Sequence, residues 1–274
     1  MPYIKEICRA GKTEEVCKYY SARFGRRGPR EKRKKPTPEA GIRANIRKQE
    51  KDLRRLMNHN FEDGVDALVT WSFNRDKAPK DYQEMLKRTQ TLVRRLRKRY
   101  RQDGIILRYI YTMEIGPKGS RHIHMMISNA EPLRLMGCWG WGPVDVKPLY
   151  SDGQYAKIAA YFLKYALKTE ETEGIKLGRK WNPSKNLKRP PVTKTIVSAA
   201  TFREEVQERK GYYIDKDSIT SGIHDVTGCA FLAYTYISLT KRPKIPRKDK
   251  THEHRSRSDQ IPRRRALRKR TDQR

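Results

Sequence analysis

The chain has 274 residues and carries 63 Lys and Arg against 31 Asp and Glu, a formal net charge of +32 at pH 7. Such a length allows one sizeable domain with extensions or two small ones, and such a charge predicts salt-sensitive attraction to nucleic acid. A membrane partner is set aside: no stretch offers a basic amphipathic anchor, residues 1–20 lack the apolar segment of a signal peptide, and the most apolar run, residues 229–239, is too short to span a bilayer.

In chain order, residues 1–60 read as a basic N-terminal extension, with RFGRRGPREKRKKPTP (residues 23–38) as an unpacked linker. Pro38 to Asn58 reads as a basic helix in which Ile42, Ile46, Leu53 and Leu56 recur, either a solvated arm or a contact for DNA phosphates. Residues 61–240 are expected to hold the principal domain. Its first strand is ALVTWSF (residues 67–73). Asp81 and Glu84 suit a capped helix start, and Tyr82, Met85, Leu86, Leu92, Val93 and Leu96 trace an apolar stripe down to Tyr100. Arg94, Arg95, Arg97 and Lys98 lie opposite that stripe, so this helix is expected to cover the back of a sheet. ILRYIYTMEI (residues 106–115) and RHIHMMI (residues 121–127) read as strands joined by GPKGS, a hairpin composition.

CWGWGPVDVKPL (residues 138–149) gives a turn and a short strand, where Trp139 and Trp141 either stack on bases or pack a loop. Gln154 to Thr169 is an amphipathic helix by period. RKWNPSKNLKRPP (residues 179–191) suits a single-strand groove, Ser198 to Lys210 a short charged helix, and GYYID and AFLAYTYISL further strands. His224 and Asp225, between those strands, read as structural. Residues 241–274 form a basic tail without apolar periodicity, expected to be disordered when free. Cys8, Cys17, Cys138 and Cys229 show no CxxC spacing or disulfide-dense pattern, which fits reduced thiols in a cytoplasmic protein and speaks against zinc. The order strand, helix, strand, hairpin, strand predicts an α+β fold with a central antiparallel sheet and helices packed on it.

The chemistry concentrates in residues 111–168. Side chains at i and i+2 of a strand share a face, so His122 and His124 point one way and Ile123 the other. If the hairpin is symmetric about Lys118, Glu114 lies across from His122 on that same face. Two imidazoles and a carboxylate there would make an open-sided site for a divalent metal. The competing reading is a pair of histidines on a solvated sheet face. A second His-x-His, His252, Glu253 and His254, sits in the charged tail without a strand pattern and is given no site role.

On the helix that follows, Tyr161, Lys164, Tyr165 and Lys168 fall within an arc of about 100° at 3.6 residues per turn. Tyr155, Ile158, Ala159, Phe162 and Ala166 fill a separate, core-facing arc. A tyrosine hydroxyl, with pKa near 10, attacks a phosphate only with help from a metal and from nearby cations. Lys164 and Lys168, three residues after each tyrosine, are placed to supply the cations. Tyrosines packing at a core margin beside solvated lysines is the plainer alternative.

Together, the HxH pair and the double Y-x-x-K resemble the HUH endonucleases that start rolling-circle replication, closest to the phage gene A, microvirus and filamentous-phage gene II type initiators. The matching residues are Met113 and Glu114, Arg121 to His124, and Tyr161 to Lys168, with VTWSF (residues 69–73) resembling that family's first-strand motif and SKNLKRPP (residues 184–191) a segment that follows its catalytic helix. The resemblance implies an HUH nuclease domain that nicks and joins single-stranded DNA at a replication origin through a 5′-phosphotyrosine. It implies Tyr161 and Tyr165 as nucleophiles, Lys164 and Lys168 beside them, and Mn²⁺ or Mg²⁺ on His122, His124 and Glu114. Imidazole ligation favours manganese. A P-loop is absent, since the Gly-Lys-Thr at residues 11–13 has Glu6 where the first glycine belongs. Unwinding then falls to a helicase of the bacterial host, in whose cytoplasm the protein would act with the host polymerase. A relaxase or HUH transposase would share the chemistry, and a non-catalytic basic nucleic-acid-binding protein would not.

Overall fold

The computed structural model describes residues 3–21, 24, 39–198, 200, 202, 206–223 and 228–240. The elements in chain order are β1 (Tyr3–Ala10), β2 (Thr13–Tyr20), α1 (Glu39–Asn60), β3 (Ala67–Ser72), α2 (Tyr82–Gln102), β4 (Tyr109–Ile115), β5 (Arg121–Ile127), α3 (Pro132–Met136), β6 (Val144–Pro148), α4 (Ala156–Glu173), β7 (Asn182–Pro183), β8 (Val192–Val197), β9 (Tyr212–Ile223) and β10 (Ala230–Ser238). The fold is α+β, as the sequence predicts, but its strands make two five-stranded antiparallel sheets instead of one. The first has the order β6-β3-β5-β4-β7 and the second β8-β1-β2-β10-β9. Among the described residues no helix is long and apolar enough to cross a membrane.

The first sheet is covered on both faces, and strand parity decides what each cover touches. Odd positions of β5, Ile123 and Met125, join Val69, Trp71, Tyr111 and Met113 in a core closed by Met85, Leu92, Val93, Leu96 and Tyr100 of α2. That helix starts as its sequence predicts, with the Asp81 carboxylate accepting from the Glu84 amide and the Glu84 carboxylate accepting from the Lys80 amide. Even positions face the other way. Ile110 and Met126 pack with Tyr155, which caps α4, with Ala159, Phe162 and Leu163 of α4, and with Leu53 and Met57 of α1 followed by Phe61. Gly174, left-handed at φ 62°, ends α4.

The second sheet is where the sequence reading falls shortest. Residues 3–20, expected as part of a basic extension, form a β-hairpin at its heart, turning through a two-residue loop whose first residue, Gly11, has φ 58°. The face that β1 and β2 turn toward α1 carries Glu6 and Glu15, both buried. Arg55 bonds both carboxylates, at 2.7 and 2.8 Å, and Arg54 bonds Glu15 at 2.5 Å. Buried charge of this kind is tolerated only when paired, and here the partners come chiefly from α1, some forty residues further on, with Lys194 of β8 adding a bond to Glu6 at 3.1 Å. α1 therefore ties the layers together, with Leu53 and Met57 in the first sheet's core and Lys51, Arg54 and Arg55 on the second sheet.

Other expectations shift in detail. Trp181 and Leu187 pack on the α4 core, and Asn182–Pro183 adds a short edge to β4, so the segment proposed as a groove wall braces the sheet. Trp139 is buried and donates from Nε1 to the Ser72 carbonyl at 2.9 Å, so it packs. Trp141 packs beneath Arg88 and Arg95. Of the helix expected over Ser198–Lys210, Ala200 and Phe202 are helical and residues 206–209 are not. His224, Asp225, His252, Glu253, His254, the tail 241–274 and all of the linker 23–38 except Phe24 lie outside the described residues.

Gly142 is fixed by contact. A Cβ there would press into the Ser72 carbonyl oxygen and stand 2.7 Å from the Asn74 nitrogen, because Trp141 and Pro143 bond the end of β3 on either side. Gly142→Ala is expected to cost about 1–3 kcal/mol of stability, as overpacking against backbone does. Urea denaturation of the variant measures it.

Candidate active site

The register of the hairpin sets the site. β4 and β5 pair Glu114 with His122 and Thr112 with His124, symmetric about Lys118, as the loop composition predicts. β3 pairs Ser72 with His122 and Thr70 with His124. Every polar side chain of this patch therefore sits at an even position, on the face that α4 crosses. The apolar even positions Ile110 and Met126 anchor α4 at one end of that face, and Tyr161 and Tyr165 reach over the histidines at the other.

The His124 ring lies 4.6 Å from that of Tyr165, nearly parallel at 27°, and 5.1 Å from Tyr161, edge-on at 77°. The tyrosine rings are 4.2 Å apart, and His122 lies 6.0 Å from His124. His124 Nε2 and Glu114 Oε2 are 2.9 Å apart, and Lys168 Nζ donates to Glu114 Oε1 at 2.7 Å. The same ammonium sits 5.6 Å from the Tyr165 ring centre. A Cβ at Gly116 would press into the Ser120 hydroxyl and come only into ordinary contact with Lys168 Nζ, at 3.4 Å. The fold thus brings together Glu114, His122, His124, Tyr161, Tyr165 and Lys168. Lys164 does not join them: it is exposed and makes no ion pair among the described residues.

Burial would raise the Glu114 carboxyl, but bonds to His124 and Lys168 hold it below the usual carboxylate range. Burial lowers the His122 imidazole against the opposing pull of Glu114. Tyr161 is pushed well above an ordinary phenol by burial, by its hydrogen bond with Tyr165, and by the negative charge of Glu114 and Asp145. The bond to Glu114 raises Lys168, which stays cationic. Lys168 therefore serves first as the counter-ion that holds Glu114 against His124.

Among the described residues no three His, Cys, Asp or Glu side chains are gathered so as to hold a metal ion. His124 and Glu114 bond each other instead. The donor chemistry nonetheless suits a divalent ion. The Nδ1 atoms of His122 and His124 lie 3.0 and 3.3 Å from the Ser72 and Thr70 hydroxyls, the arrangement that fixes the rings of ligating histidines. These two hydroxyls are the site residues that sequence reasoning missed. Their signal was present, since Thr70 and Ser72 repeat at the same two-residue step as the histidines one strand away.

An antiparallel sheet that presents paired histidines beneath a helix bearing paired tyrosines has the parts of a phosphoryl-transfer site. Residues 66–170 match the family model described as replication-associated protein ORF2/G2P. This span runs from the start of β3 through most of α4 and contains all the residues that the fold gathers at the site. The match supports a Rep-like, replication-associated protein, for which DNA is the implied partner. No curated protein and no solved structure matches the chain.

Proposed function

We propose that this protein is a metal-dependent endonuclease and strand transferase that nicks single-stranded DNA at an origin and so initiates rolling-circle replication of a phage or plasmid. One observation carries the reading: two imidazoles and two phenols, drawn from different elements, meet over one patch of sheet, His124 lying 4.6 to 6.0 Å from the other three rings and the two phenols 4.2 Å from each other. A tyrosine oxygen bonds the scissile phosphorus as the bond to the upstream 3′ oxygen breaks. The phenolic proton passes to water, the departing oxygen takes one up from water, and a 5′-phosphotyrosine and a free 3′-hydroxyl result. Tyr165, flanked by the Lys168 ammonium, and Tyr161, behind it on the same helix face, can then take successive turns in cleaving and rejoining. His122, His124 and Glu114 would hold a divalent ion, whose contribution is to polarise the phosphate oxygens. The Glu114–His124 bond has to open for that.

Mixing the protein with end-labelled single-stranded DNA and Mn²⁺ is expected to give an adduct that survives denaturant. A salt-sensitive complex that vanishes in denaturant, with no cleavage, would instead make the chain a binding protein. Replacing Thr70 and Ser72 together by Ala is expected to weaken Mn²⁺ binding about 10- to 100-fold, the usual cost of losing the groups that orient ligating imidazoles. Titration calorimetry measures it, and Ser72→Thr, which keeps a hydroxyl at that position, should retain most of the affinity.

A further inference from the structure

We propose that the outer face of α2 is a second nucleic-acid surface, one that grips duplex DNA by its phosphates on the side of the sheet opposite the tyrosines. α2 has 21 residues, a length of about 31 Å at 1.5 Å per residue, close to one turn of duplex. At about 100° per residue, Lys87, Arg94, Lys98 and Arg101 fall within an arc of roughly 60°. All four are exposed, and none is in an ion pair among the described residues.

Acids are missing from this stripe. The single acid of the helix, Glu84, is held by Arg88 in the first turn, and Asp103, just past the end, takes Arg99 and Arg134. Arg94 and Lys98 are four residues apart, as are Arg95 and Arg99, and Arg97 and Arg101. Like charges at that spacing repel and weaken a helix. The sequence maintains this repulsion along a helix whose other face is fully committed to the core, and a bound polyanion would relieve it. The stripe also bears no aromatic ring. Single-strand surfaces stack bases on aromatic platforms, whereas duplex backbone is held by cations alone. The chemistry is therefore that of duplex phosphates, gripped without sequence reading, while the tyrosine face works on a single strand.

The test compares the full chain with a variant carrying Lys87→Gln, Arg94→Gln, Lys98→Gln and Arg101→Gln, by fluorescence anisotropy on duplex and on single-stranded DNA over a range of salt. Each phosphate contact contributes about 0.9 to the slope of log affinity against log salt. The variant should lose about 3 to 4 of that slope on duplex and little on single strands, and keep or slightly raise its thermal midpoint as the like-charge repulsion is relieved. A fall of less than about 2 on duplex, or an equal fall on both DNAs, would overturn the proposal. So would unchanged duplex binding accompanied by lost binding to phosphatidylserine vesicles. Should the fourfold variant fail to fold, Arg94→Gln with Lys98→Gln reads the same contrast at about half the size. Adduct formation on single-stranded DNA is scored separately, so a failure of the tyrosine chemistry is told apart from a failure here.

Discussion

A variant with Tyr161→Phe and Tyr165→Phe is expected to lose covalent capture of single-stranded DNA altogether, with cleavage reduced about 10⁴-fold or more, the scale seen when a nucleophile is removed outright. Both rings remain, so the stack of Tyr165 on His124 and the edge contact of Tyr161 should persist and stability should change little. Cleavage and adduct assays on denaturing gels, set beside a urea titration, separate the two effects. The single variants are the sharper instrument. If the phenols alternate, each one slows nicking or joining by itself. If both single variants nick and join as the parent does, the division of labour is wrong. A double variant that still forms the adduct would remove these tyrosines from the chemistry.

The second large effect concerns stability and lies far from the tyrosines. Burial would raise Glu6 and Glu15, yet Lys51 and Arg55 around Glu6, and Arg54, Lys51 and Arg55 around Glu15, bring both carboxyls down to about 2 from an ordinary 4.5. A carboxyl lowered by folding stabilises the folded state above its unfolded value, and that contribution is lost as pH falls toward the folded one. Stability should hold near neutrality and decline between pH 4.5 and about 2, the two limits set by these groups. Glu15→Gln leaves Arg54 and Arg55 without a carboxylate they both bond. Breaking a buried pair from one side costs about 3–5 kcal/mol, and denaturant titration at neutral pH should find a loss of that size. The variant should also lose part of the parent's acid sensitivity.

That network explains which parts of the fold were legible. α2 and β5 were readable because most of their buried positions are apolar, from Met85 to Tyr100 at helical period and from Ile123 to Ile127 as a nearly continuous run, with Thr89 and His124 the buried polar exceptions. The Glu114–His122 register was readable because a short loop with two glycines and a proline left one simple closure. The first hairpin was not readable. Its buried positions include Glu6, Glu15 and Lys18, which any hydropathy pattern assigns to solvent, and the cations beside both carboxylates come from a different element. The same limit applies inside the site. A helical arc places Lys164 and Lys168 together beside the tyrosines, but only the fold shows that Lys168 is drawn to Glu114 while Lys164 is left in water.

The strict odd–even division of β5 constrains how such a protein can diverge. Its even side chains His122, His124 and Met126 face α4 and the reaction site, and the odd ones Ile123, Met125 and Ile127 fill the layer under α2, within one stretch of seven residues. A lone insertion or deletion inside that stretch would trade the two sets, sending imidazoles into hydrocarbon and isoleucine into the cleft. Descendants of this chain are thus free to vary the length of their connecting turns, but can alter this ribbon only by exchanging one residue for another.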